Sequence, residues 1–140
     1  FYLFRRATNL GQVMSADQGR LMIVEDEEGF ASFLATVAGG MGYDVRAVQD
    51  SRDVEFQLAN WLPTLVFLDI FMPDRDGLEL LGLLQQRSYA GQLVMMSGAD
   101  TLYLNMAAAS AKARGLRLAG TLTKPCRKHE VETFLRQLAD

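Results

Sequence analysis

Five residues of this chain carry the side chains that phosphate or metal chemistry would need. Asp69 closes the apolar run Leu65-Val66-Phe67-Leu68 and opens onto Ile70-Phe71-Met72-Pro73-Asp74. Glu25-Asp26 close Leu21-Met22-Ile23-Val24 in the same way, Ser97-Gly98 follow Met95-Met96, and Lys124-Pro125 follow Thr123. Taken singly, each has an ordinary reading. Asp69 and Ser97 serve as turn or cap residues, Glu25-Asp26-Glu27-Glu28 as an acidic helix start that the macrodipole favours, and Lys124 as a surface lysine. Brought together, they are a phosphoryl-transfer set. Three crowded carboxylates repel one another, and a divalent cation removes that cost. An all-oxygen donor set suits Mg2+ or Mn2+, and with no His or Cys nearby it does not suit zinc. Beside such an ion, Asp69 can attack phosphorus and form an acyl phosphate. Lys124 and the Ser97 hydroxyl would stabilise the equatorial oxygens of the transferring group.

The elements around these residues decide whether they meet. Apolar runs alternate with helical periods from Leu21 onward. Strands are read at Leu21 to Val24, Val45 to Val48, Thr64 to Asp69, Gln92 to Ser97 and Leu118 to Thr123. The first helix is carried by Phe30, Phe33, Leu34, Val37 and Met41, and ends at Gly39, Gly40 and Gly42. A second begins at a cap from Asp50 or Ser51 and stops before Pro63. The third spans Gly77 to Gln86, the fourth is an Ala-rich run from Asp100 to Arg114, and the last carries Val131, Phe134, Leu135 and Leu138. Such alternation predicts an α/β fold: a five-stranded parallel sheet, flavodoxin-like (βα)5 with order 2-1-3-4-5 and helices on both faces. In that order strands one and three are neighbours at the switch point, so Glu25, Asp26 and Asp69 share one crevice, flanked by Ser97 and Lys124.

Length and composition fit this reading. The chain has 140 residues, 49% of them hydrophobic and 22% charged, with a net charge of −3. That size supports one domain with a core that needs no staple. Residues 1–18 have no periodicity and are expected to be an extension ahead of a domain at 19–140. The apolar Phe1, Tyr2, Leu3 and Phe4 are able to order against a neighbour. After Lys124 there is room for one helix, so no output domain is expected in this chain. The negative charge disfavours direct nucleic-acid binding. No apolar stretch approaches membrane-spanning length, and the single Cys126 fits a reducing, cytoplasmic setting. His129, the lone histidine, is read as solvated.

At this point the motifs resemble the receiver domain of bacterial two-component response regulators, over about Arg20 to Leu138. The resemblance rests on Leu21 through Glu27, Leu68 through Gly77, Met96-Ser97-Gly98 and Thr123-Lys124-Pro125. It implies that Asp69 accepts phosphate from a phosphohistidine on a sensor histidine kinase or histidine phosphotransfer protein. It implies Mg2+ held by Asp26, Asp69 and the Phe71 backbone carbonyl, with Glu25 acting through water. Ser97 and Lys124 would contact the phosphoryl group and relay the state to an output domain or effector. The face made by the fourth helix, fifth strand and fifth helix would serve a partner or a homodimer.

Some positions depart from the family pattern. The switch position on the fifth strand, often aromatic, is Thr121, so signalling is expected to lean on Ser97 and its loop. The stretch from Ser97 to Lys124 is about one helical turn longer than usual, roughly 5 Å of helix. That length resembles receivers attached to cyclic-di-GMP phosphodiesterases. Phe71 and Ala99 are apolar where the family tunes water access, which predicts slow self-dephosphorylation. A haloacid-dehalogenase-type phosphatase is the alternative reading, but it needs an acid two residues after the nucleophile, where Phe71 stands. A binding module that never meets phosphate is the other; the full Asp, Ser and Lys set argues against it. No P-loop pattern occurs.

Overall fold

A computed structural model describes residues 2–4, 19–72, 75–98 and 101–139. The expectations placed on Phe1, on residues 5–18, on Pro73 and Asp74, and on Ala99 and Asp100 lie outside the described residues. The elements are β1 (Tyr2–Phe4), β2 (Gly19–Val24), α1 (Glu28–Gly40), β3 (Tyr43–Val48), α2 (Ser51–Asn60), β4 (Leu65–Asp69), β5 (Phe71–Met72), β6 (Arg75–Asp76), α3 (Gly77–Gln86), β7 (Gln92–Ser97), α4 (Thr101–Ala113), β8 (Arg117–Thr123) and α5 (Lys128–Ala139).

The main sheet runs β1-β3-β2-β4-β7-β8. Its five strands from β3 to β8 are parallel and reproduce the expected 2-1-3-4-5 order. Because helices cover both faces, alternate residues of each strand enter different cores, and the strands read as unbroken apolar runs. Met22, Val24, Val66, Leu68, Leu93 and Met95 pack with Val54, Leu58, Leu80, Leu81 and Leu84 of α2 and α3, and with Leu104 and Ala107 of α4. Leu21, Ile23, Leu65, Phe67, Val94 and Met96 pack with Leu34, Ala35 and Ala38 of α1 and with Val131 and Leu135 of α5. Phe67 is fully buried and meets the Phe134 ring edge-on at 6.4 Å. Burying such a side chain contributes about 1.5–3 kcal/mol.

Local signals set the helix ends. The Asp50 carboxylate accepts the Asp53 N–H at 2.9 Å, capping α2. Gly42, at φ 104°, turns the chain from α1 into β3, a conformation that glycine adopts without a Cβ penalty.

Three features add to the expected arrangement. Tyr2–Phe4 pairs antiparallel with Val45 to Ala47, as a sixth strand on the open edge of β3. An edge offers unpaired N–H and C=O groups to any extended segment, so no hydrophobic period is needed to place one there. Phe71–Met72 and Arg75–Asp76 form a separate two-stranded ribbon just after β4. Finally, β8 carries a bulge: Leu93 pairs with Leu118, but Val94 pairs with Gly120. The extra residue, Ala119, flips the strand's faces. Thr121 therefore shares the α4-covered face with Met95, opposite Gly120 and Leu122. No helix among the described residues is long and apolar enough to cross a membrane.

Candidate functional site

Strand ends build the site. β2 delivers Glu25 and Asp26, β4 delivers Asp69, β7 delivers Ser97, and β8 delivers Lys124. Backbone bonds continue the ladder beyond the strands. The Ile70 N–H donates to the Met96 carbonyl at 3.2 Å, Glu25 N–H to Val48 at 3.2 Å, and Lys124 N–H to Ser97 at 2.9 Å. Gly77 lets α3 start against the backbone of Ile70. A Cβ there would lie 2.7 Å from Ile70 Cα and from its carbonyl oxygen.

Asp69 is only 2% exposed and Glu25 1%. The Lys124 ammonium donates to Glu25 Oε1 at 2.7 Å and to Asp69 Oδ2 at 3.1 Å. The Phe71 N–H donates to Asp69 Oδ1 at 3.0 Å, and the Glu27 N–H to Glu25 Oε2 at 3.1 Å. Burial pushes the Glu25 carboxyl up to about 7, against the opposing pull of Lys124. For Lys124, burial alone would lower the ammonium's pKa, but the bonds and charges of Glu25 and Asp69 outweigh it and hold it above its usual value. The Ser97 hydroxyl is buried and makes no hydrogen bond among the described residues. A buried orphan donor costs about 1–3 kcal/mol, and a phosphoryl oxygen is the kind of acceptor that would satisfy it.

One oxygen each from Glu25, Asp26 and Asp69 lie within 4.8 Å of one another. Hard, anionic and oxygen-only, this set fits Mg2+ or Mn2+. Asp26 is exposed while its two partners are buried, so the cluster opens to solvent on one side.

The family model for the response regulator receiver domain matches residues 21–136. The chain belongs to that family. Protein PilG of Pseudomonas aeruginosa is 29% identical over 121 residues, covering 83% of this chain and 84% of that protein. The alkaline phosphatase synthesis transcriptional regulatory protein PhoP of Bacillus subtilis is 26% identical over 85% of this chain, which spans 48% of PhoP's length. A response regulator from Colwellia psychrerythraea superposes with a TM-score of 0.77 at 29% identity, covering 88% of this chain and 98% of that one. Receiver domains bind Mg2+ through an acidic pocket, are phosphorylated by histidine kinases and link to output domains; the acidic cluster is present here.

The receiver fold thus gathers Glu25, Asp26, Asp69 and Lys124 by direct geometry. Ser97 stands at the end of the neighbouring strand. Phe71 sends its N–H to Asp69 while its side chain is 62% exposed and meets the Tyr103 ring edge-on at 5.6 Å. Thr121 is exposed on β8, level with Met95 of β7. Sequence reasoning missed Phe30, which it counted only as core. Its ring centroid lies 4.9 Å from Lys124 Nζ. A signal was available: Phe30 sits four residues past Asp26, in the first turn of α1.

Proposed function

We propose that this receiver domain is switched by phosphorylation of Asp69. The carboxylate of Asp69 attacks the phosphorus of a phosphohistidine on a sensor histidine kinase or histidine phosphotransfer protein. The Asp69 O–P bond forms as the histidine N–P bond breaks. Asp26, Asp69 and the Phe71 carbonyl would hold Mg2+, with Glu25 reaching it through water. Bound there, the ion would neutralise charge on the phosphoryl oxygens. Lys124 supplies a fixed positive charge at Asp69 and can re-aim at a phosphoryl oxygen. Ser97 gains the acceptor that its buried hydroxyl lacks.

A phosphoryl group adds nearly two negative charges at Asp69. It biases a two-state equilibrium only through contacts that differ between the states. Ser97 and Thr121 are the levers we assign, since Ser97 pairs with Thr123 in β7–β8 register and Thr121 lies on the α4 side. The exposed Leu102 and Met106 of α4 extend that face towards an output domain, an effector or a second copy. Residues 1–18 are assigned as an extension to a receiver at 19–140.

The buried Asp69 carboxylate held by Lys124 carries this reading. Its test is incorporation of label from acetyl phosphate with Mg2+. Wild type should take up label, chelation of the metal should stop it, and Asp69→Asn should abolish it. Uptake by Asp69→Asn at the wild-type level would sink the assignment. The phosphatase alternative is not favoured, because the position two residues after Asp69 is Phe71.

A further inference from the structure

We infer that Phe30 is a positioning residue for Lys124, holding the ammonium against its ring face. This rests on the reading of Asp69 as phosphoacceptor. Phe30 lies in the first turn of α1, packed on the α1–α5 core, with the Phe33 ring 6.0 Å away. That packing restrains the ring. Its face is then presented to Lys124 Nζ at 4.9 Å.

The ammonium has three donors and no acceptor. Two bonds go to Glu25 and Asp69 at 2.7 and 3.1 Å. The Lys124 side chain is only 17% exposed, so little water reaches it. An aromatic face attracts a cation most strongly when the cation is desolvated. The ring thus replaces water that burial has removed.

The kind of attraction matters for function. A carboxylate fixes a donor along one lone-pair direction, whereas a π face holds the charge without demanding one direction. Lys124 can turn from Glu25 towards a phosphoryl oxygen on Asp69 while keeping the same ring contact. A leucine at position 30 would still pack on the core, but it would leave the ammonium to recruit water, which phosphotransfer would then have to strip away.

The test compares Phe30→Leu and Phe30→Tyr, each alone and combined with Lys124→Met. The first readout is the initial rate of Mg2+-dependent labelling from acetyl phosphate. Phe30→Leu should slow it roughly tenfold, because the recruited water must be stripped from the ammonium before transfer, and Phe30→Tyr should stay within about twofold of wild type. In the Lys124→Met background, Phe30→Leu should change the rate by less than about twofold. The second readout needs no activity: the Lys124 Hε protons should sit upfield by ring current in wild type and return to ordinary values in Phe30→Leu. Equal slowing in both lysine backgrounds, or Hε shifts that do not respond to Phe30→Leu, would overturn the inference. If Phe30→Leu does not fold, Phe30→Met takes its place. Failure of the phosphoacceptor reading would look different: wild type and Asp69→Asn would label alike, while the ring-current shift would still report on Phe30.

Discussion

Lys124 Nζ lies 3.1 Å from Asp69 Oδ2, with both side chains largely withdrawn from water. The lysine therefore occupies the carboxylates that a cation would use. Removing it should have opposite effects on two measurements. Lys124→Ala should bind Mg2+ several-fold more tightly by calorimetry, because a competing positive charge is gone. The same variant should label from acetyl phosphate at least about tenfold more slowly, since a stabilising charge is missing when the phosphoryl group transfers. Weaker metal binding in Lys124→Ala would contradict this account.

Glu25 should make stability depend on pH in the metal-free protein. Burial raises its carboxyl from 4.5 to about 7. The folded state thus holds this proton more tightly than the unfolded state does. The contribution is full below about pH 4.5 and is lost as pH rises through about 7. Glu25→Gln cannot ionise. Its stability advantage over wild type should widen between about pH 5 and about pH 8. Denaturant melts at several pH values measure this gap, and a flat gap would refute it.

Gly77→Ala should destabilise the protein although alanine is the better helix former. Propensity favours alanine by up to about 1 kcal/mol. Against that, the new Cβ would lie 2.7 Å from the backbone of Ile70. Overpacking of this kind costs about 1–3 kcal/mol. Ile70 follows Asp69 directly, so Mg2+ affinity should fall along with the melting temperature. An unchanged or raised melting temperature would show that the backbone gives way freely.

Phe71 predicts a long-lived phosphorylated state. Its side chain has no polar atom with which to orient an attacking water, and its ring rests against Tyr103. Phosphorylated wild type should persist for minutes or longer. Phe71→Asn should shorten that lifetime several-fold by giving water a partner near Asp69. Loss of label from wild type within seconds would end the idea.

Much of this fold was legible along the chain. α3 and β7 have the limits read from the sequence, Gly77–Gln86 and Gln92–Ser97. Their apolar runs end at turn residues, and periodicity is a local property. Asp69, Glu25, Ser97 and Lys124 were legible for the same reason: each is a polar residue placed where an apolar run stops.

Individual side-chain contacts between distant elements were not legible. Phe30 satisfies a helical period as well as any core residue does, so only the meeting of α1 with the end of β8 gives its ring a second task. Thr121 could be placed on a strand, but its face depends on the bulge at Ala119, which strict alternation would assign the other way. The edge pairing of Tyr2–Phe4 is made by backbone groups, which every sequence shares. Sequence alone determined which polar side chains end the strands and the order in which the elements bring them, because residue type and period are written locally. Tertiary structure alone decided that Lys124 spans Glu25 and Asp69 beside a ring, because those groups approach only when separate strands pack into one sheet.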